Sequence, residues 1–395
     1  MNLLGIIAEY DPFHFGHQYH MEKSREVSGC DAVVCVMSGD FTQRGGPAFL
    51  DKFARSEMAV RCGADLVIEL PVPWAMAGAE TFARGAVGLL DALGCVAKLS
   101  FGSECGDADR LMKLAELLLT PELDITLSRQ LSLGLPYAKA RQRAVELMAG
   151  EENARLLTLP NNILGIEYGK ALLTLQSSIC PISVRREGSA HNAEGSASEL
   201  RTRYARGEDI SAGLPEGAAA VLLREREQGR VADPQRLETA LLSRLRMLSE
   251  ADFHALPDCA EGLENRLYRA ARLCGSEANI LDAAVSKRYP RARLRRMLWG
   301  AALGLRKEDN EGIPPYIRPL CANEKGREIL RELKKTASLP ILSRGGQVKE
   351  LDERSKRTFH LGSDAHDFYV LGYSKQNIRD SDEDYQKTGV SFCHL

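Results

Sequence analysis

The sequence predicts an α/β fold: a Rossmann-like, doubly wound parallel sheet over residues 1–210, followed by a mostly α-helical region over residues 211–395. Three observations carry this. Short apolar or β-branched runs alternate with helical patterns through the first half of the chain. The runs are apolar on both faces, as strands of a parallel sheet are. After about residue 206 the alternation stops and helical periodicity takes over.

Leu3–Ala8 reads as the first strand and His17–Ser28 as a helix. Asp31–Met37 is β-branched and reads as the second strand, and the Gly-rich, polar stretch 38–47 as a loop. A helix over Leu50–Cys62 leads to a third strand, Asp65–Leu70, stopped by Pro71, which lacks an amide donor. Ala77–Leu93 is helical up to Gly94, Lys98–Phe101 is the fourth strand, and Asp107–Gly150 is helical. Pro160 opens a helix through Leu175, Ile182–Arg186 is the fifth strand, and Ser196–Tyr204 begins another helix. The boundary falls between Tyr204 and Gly217; helices then dominate to Leu305, and later strand signals are weak. Right-handed crossovers bring the carboxyl ends of the parallel strands to one edge.

Composition sets limits. With 44% hydrophobic and 27% charged residues in 395, the chain can bury a real core. A net charge of −2 means that nucleic-acid binding must come from local basic patches. No run is long and apolar enough to span a membrane, and the N-terminus reads as a strand, not a signal peptide. The ten cysteines form no CxxC pair and read as reduced thiols of a cytoplasmic protein, so no metal site is expected.

The strongest motif is Asp11-Pro12-Phe13-His14-Phe15-Gly16-His17, placed between the first strand and its helix. A helix N-terminus offers amide donors, glycine allows close approach of a phosphate, and two imidazoles can meet charge developing on phosphorus and pyrophosphate. The bland alternative is a helix cap with two surface histidines. His20, three residues after His17, lies on the same helical face or in solvent. Further on, Ser196-Ala-Ser198-Glu-Leu-Arg201 places small hydroxyls and a forked cation at a helix start, suited to phosphate or to simple capping.

These strings resemble the tRNA(Met) cytidine acetate ligase family, within the HxGH nucleotidyltransferase superfamily, over nearly the whole chain. The resemblance rests on Gly5–His20, Met37–Pro47 with Gln43-Arg44-Gly45, Asp65–Pro71, Phe101–Glu104 and Pro160–Gly165. It continues through Arg186–His191, Lys287–Tyr289, Pro315–Leu320 and Asn323–Gly326. It implies an ATP-dependent, carbon–nitrogen bond-forming ligase that makes acetyl-adenylate from acetate. The acetyl group then passes to N4 of the wobble cytidine of elongator tRNA(Met), without acetyl-coenzyme A. It further implies ATP contacts by Ile7, Ala8, Glu9, Tyr10, Asp11, Pro12, Phe13, His14, Phe15, Gly16, His17, Gln18, Tyr19 and His20. Gly102, an asparagine of Asn161-Asn162, Arg186 and Ser198 complete that set, with Mg²⁺ accompanying ATP and with His14, His17 and Arg201 at the chemistry. Asp11 and Phe15 stand where the family usually has asparagine, and Asp40 where an uncharged side chain is usual.

From the residues themselves, Gly102 ends a strand, either asparagine can read a base edge or cap its helix, and Arg186 can meet a phosphate. Lys52 and Arg55, on the helix after the Gly-rich loop, can face the acceptor or be ordinary surface cations, and the surface is expected. Lys287, Arg288, Arg291, Arg293, Arg295, Arg296 and Arg306 cluster with Tyr289 and Trp299 interleaved, which suits phosphate contact and base stacking, or a solvated basic helix. Two other functions fit the first half: a nucleotide adenylyltransferase of cofactor biosynthesis, and a catalytically silent RNA-binding protein. The long helical region opposes the former and the intact His14, His17 and Arg201 the latter. No obligate protein partner is evident.

Overall fold

The computed structural model describes residues 1–186, 195–259, 262–286, 289–387 and 389–393. Lys287, Arg288 and the Glu187–His191 part of the family string lie outside the described residues. The strands are β1 (Leu3–Ala8), β2 (Ala32–Ser38), β3 (Phe41–Thr42), β4 (Gly46–Pro47), β5 (Leu66–Leu70), β6 (Val96–Ser103), β7 (Cys180–Arg185), β8 (Pro319–Ala322) and β9 (Ser391–Phe392). Seven of them form one sheet in the order β7-β6-β1-β2-β5-β8-β9. The five expected strands are all present and mutually parallel. Strand order reverses between β1 and β6, so the switch-point crevice opens beyond the ends of those two strands.

The structure corrects the sequence reading in three places. The expected loop at 38–47 contains a small antiparallel hairpin, β3–β4. The helical region returns two strands to the sheet: β8 runs antiparallel to β5, and β9 lies beside β8. Phe41 of the hairpin also packs into the core of the helical region, its ring 5.5 Å from that of Trp299. The two halves predicted by the pattern are therefore joined both through the sheet and through this contact. Trp299 is buried and serves packing, not stacking on a base.

Third, Lys52 and Arg55 are fully buried. Lys52 Nζ lies 2.6 Å from Asp384, 3.1 Å from Glu69 and 3.7 Å from Asp40. Arg318 joins the cluster at 2.9 Å from Glu69 and 3.0 Å from Asp384. His366 bridges Asp40 (2.9 Å) and Glu383 (2.8 Å). Burial opposes its charge, but the adjoining carboxylates prevail and push its pKa up to about 10. The carboxyl of Asp40 is held down at about 2 by His366 and Lys52, against its own burial. Residues from β5, the helix Lys52–Arg61 and the C-terminal region thus share one set of buried ion pairs. Arg55 donates to the carbonyl oxygens of Glu9 (2.6 Å), Ser38 (3.1 Å), Leu50 (2.8 Å) and Gly39, clamping the ends of β1 and β2 together.

Candidate active site

The chain turns sharply after β1. Tyr10 takes φ +48°, a left-handed conformation that costs a non-glycine residue roughly 1–3 kcal/mol. Packing holds it there: its ring lies 4.8 Å from Phe13 and 5.0 Å from His17, and its hydroxyl is 3.4 Å from Cys35 Sγ. The turn delivers His14 as the N-cap of the helix Phe15–Ser28. His14 Nδ1 accepts the Gly16 amide at 3.0 Å, and His17 Nδ1 accepts the His14 amide at 3.3 Å. Gly16 is needed here, since an added Cβ would come within 2.8 Å of His14 Cε1.

Those backbone bonds settle the tautomers. A ring whose Nδ1 accepts carries its proton on Nε2 when neutral. Neutral they are: burial, reinforced by Arg186 and Arg201, lowers His14 to about 4. His17 is also lowered, well below its usual value, by burial, His14 and Arg186, and His20 sits at about 4 through burial and Arg186. The rings of His14 and His17 stack at 3.8 Å. The result is two preorganised Nε2–H donors beside a cluster of arginines, an arrangement suited to phosphoryl oxygens.

His14, Gly16, His17, Tyr19 and His20 line a cleft of about 210 Å³, together with Ile7, Ala8, Glu9, Tyr10, Gly102, Asn161 and Arg186. His20 Nε2 is 3.3 Å from Ser100 Oγ, which fixes the ring on the cleft face. The Arg186 stem packs over Gly102, where a Cβ would meet its Cγ at 3.2 Å. Asn161 and Asn162 divide their roles, and neither is the helix cap, which is Leu159. Asn161 faces the cleft, its Nδ2 donating to Glu104 at 2.8 Å. Asn162 is buried and its Oδ1 accepts the Glu104 and Cys105 amides at 3.0 and 3.2 Å, tying the loop after β6 to the helix.

The other expected residues sit around the cleft rather than in its wall. Asp11, Pro12 and Phe13 are buried beneath it, while Phe15 is exposed. Gln18 and Ser198 are half-buried outside the lining. Ser196 caps the helix Ala197–Ala205 by accepting the Glu199 amide. From that helix Arg201 reaches the Asp11 carbonyl and, at 3.0 Å, its carboxylate. Asp11, the departure from the family pattern, thus holds the arginine expected to grip phosphates.

The sequence reading missed Phe101, Leu164, Tyr168, Val184 and Arg185, which also line the cleft. Tyr168 and Leu164 follow Asn161 at seven and three residues on one helix, so helical spacing alone could have found them. A larger groove of about 710 Å³ lies elsewhere, lined by Glu57, Arg224 and Arg230 among others. Its charges satisfy each other, with Arg224 bidentate on Glu57 at 2.7 and 2.9 Å.

In the basic helix Arg291–Leu303, most arginines are occupied. Arg291 pairs with Asp282, and Arg295 with Glu277 at 2.5 Å. Arg293 donates to the Asp258 carbonyl and lies over the Tyr289 ring at 5.4 Å. Arg296 donates to the Gln43 carbonyl at 3.2 Å, and the hairpin glycines Gly45 and Gly46 press against Arg296 and Arg295. The Gln43 amide in turn donates to Glu9 in the cleft at 2.7 Å. This helix therefore touches the cleft through the hairpin and is not remote from it.

Comparisons with known proteins agree with this fold. The family model described as HIGH Nucleotidyl Transferase matches residues 1–384. The tRNA(Met) cytidine acetate ligase of Thermoanaerobacter sp. (strain X514) is 39% identical over 410 aligned residues, covering 100% of this chain and 99% of the relative. That of Caldanaerobacter subterraneus subsp. tengcongensis is 40% identical over 388, covering 94% and 96%. The crystal structure of Thermotoga maritima TmcAL bound with alpha-thio ATP superposes with a TM-score of 0.92 at 34% identity, covering both chains fully. Its apo form superposes at 0.94. The chain belongs to the HIGH nucleotidyltransferase family and, within it, to the tRNA(Met) cytidine acetate ligases.

Proposed function

We propose that the chain activates acetate with ATP and transfers the acetyl group to N4 of the wobble cytidine of elongator tRNA(Met). The observation that carries this is the pair of neutral imidazoles at the β1 turn, each presenting Nε2–H to a cleft at the switch point of the sheet. Acetate attacks the α-phosphorus, the bond to pyrophosphate breaks, and the charge that develops on the phosphoryl oxygens is met by His14 and His17. Gly102 and Asn161 border the adenosine, and Arg186 faces the phosphates. Arg201 and Ser198 take the outer phosphates, Arg201 sharing itself between them and Asp11. Mg²⁺ enters on the triphosphate, as it commonly does, and acetyl-coenzyme A plays no part.

Residues 1–210 perform activation. The helical region from 211 meets the tRNA, with Arg291 and Arg293 on its outer flank and Arg295 and Arg296 ordering the hairpin. The names of the relatives support the substrate pair, and the ATP-analogue complex of the Thermotoga protein supports the nucleotide. The test is acetate-dependent ATP–pyrophosphate exchange, followed by nucleoside analysis of tRNA incubated with labelled acetate. A nucleotide adenylyltransferase would exchange pyrophosphate only with its nucleotide acceptor present, and acetate would not replace that acceptor.

A further inference from the structure

Acetyl transfer makes a demand that the imidazoles of the cleft do not meet. Cytosine N4 is a weakly basic amine and must lose a proton when it is acylated. Burial and Arg186 disfavour a proton on His14, His17 and His20. The Nδ1 atoms of His14 and His17 are already occupied by amides.

Among the described residues that line the cleft, Glu9 is the one carboxylate. It follows β1 directly, and Arg55 Nη1 anchors its carbonyl at 2.6 Å. Its Oε1 accepts the Gln43 amide at 2.7 Å, while no group among the described residues donates to Oε2. Gln43 is held in turn by Arg296. The carboxylate is thus fixed through one oxygen and open at the other, between the nucleotide cleft and the hairpin that carries Arg44.

We propose that Glu9 is the general base of the transfer step: Oε2 accepts the N4–H of the target cytosine and takes its proton as N4 attacks the acetyl carbonyl. This rests on the acetyl-adenylate reading above. The N4 lone pair forms the new C–N bond, the C–O bond to the adenylate phosphate breaks, and that electron pair leaves with AMP. The proton passes to Glu9 and then to water. A carboxylate is also the acceptor that matches cytosine N4 in base recognition, so the same contact positions the amine. Burial raises the Glu9 carboxyl above its usual range and Asp11 raises it further, while the Gln43 amide, Arg44 and Arg55 lower it. Tyr168 also faces it. A raised pKa makes the carboxylate a stronger base.

Glu9→Gln, of equal size, separates the two half-reactions. Acetate-dependent exchange is measured without tRNA. Single-turnover transfer from preformed adenylate to tRNA(Met) transcript is measured as a function of pH. Transfer should fall by about 100-fold or more beyond any loss of exchange, the range general-base catalysis supplies. The acid-side decline of the wild-type transfer rate should vanish in this variant and return, with part of the rate, in Glu9→Asp. Parallel losses of exchange and transfer, or an unchanged pH profile, would overturn the role of Glu9. Absence of acetate-dependent exchange in the wild type would instead overturn the functional reading itself.

Discussion

The cleft beyond β1 and β6 and the Lys52–Asp384 cluster both gather ionisable side chains around one sheet, and they use them in opposite ways. In the cluster, Lys52, Arg318 and His366 are each matched by carboxylates at 2.6–3.1 Å, and all three are fully buried. In the cleft, the imidazoles of His14 and His17 are satisfied on Nδ1 by backbone amides and are left with Nε2–H toward an accessible space. Arrays satisfied internally hold a fold together. Arrays satisfied on one side only have binding capacity left for a ligand. The same sheet supports both because the switch point opens only beyond β1 and β6.

The sharpest test of that contrast is Asp384→Ala. It strands Lys52 and Arg318 without a major partner, and breaking a buried pair typically costs about 3–5 kcal/mol. Denaturant unfolding measures it; a loss below about 1 kcal/mol would show that the cluster is not structural cement.

His17→Ala should do the reverse. Acetate-dependent exchange should drop by about 100- to 1,000-fold, the usual consequence of removing one preorganised donor to a developing anion. The unfolding midpoint should move far less than in Asp384→Ala. Near-wild-type exchange would remove His17 from the chemistry.

Arg201→Ala should raise the apparent ATP requirement by roughly tenfold, as expected for one charged hydrogen bond, with a smaller effect on acetate. Equal effects on both substrates would leave Arg201 as no more than the partner of Asp11 seen at 3.0 Å.

The effects of pH accumulate gradually, by at most about 1.4 kcal/mol per pH unit for one proton. His366 has a raised pKa of about 10, so its contribution to stability is complete below its unfolded value of about 6.5 and is lost as pH rises toward 10. His14 and His20 are lowered to about 4, so theirs is present above about 6.5 and lost as pH falls toward 4. The stability difference between wild type and His366→Gln should therefore shrink on the alkaline side, and that for His20→Gln on the acid side. Differences that run in the same direction would break the comparison.

Much of the site was legible before the structure because its residues are close in sequence. His14, Gly16 and His17 span a single turn after a strand, and the turn alone brings them together. Gly102, Asn161 and Arg186 were implied by the family resemblance, and each lies near the end or start of a regular element at the same sheet edge. Asn161 and Asn162 could not be told apart, since one residue of helical rotation decides which faces the cleft and which ties down Glu104 and Cys105. Lys52 and Arg55 were placed on the surface because a charged residue is rarely buried unless paired. Their partners, Asp384 and the carbonyls of Glu9, Ser38 and Gly39, come from distant parts of the chain.

By itself the sequence determined the parallel five-stranded body, the switch-point motif and the helical second half, because periodicity and strand-to-helix turns are local properties. The tertiary structure decided what depends on long-range pairing. It added the antiparallel β8 and the edge strand β9 to the sheet, assigned Trp299 to a core, and docked Arg295 and Arg296 on the hairpin. It also converted Lys52, Arg318 and His366 from three isolated charges, spread over more than three hundred residues of chain, into one buried cluster. A charge is stable inside a protein only where its counter-charges converge, and that convergence is a property of the folded chain rather than of any segment.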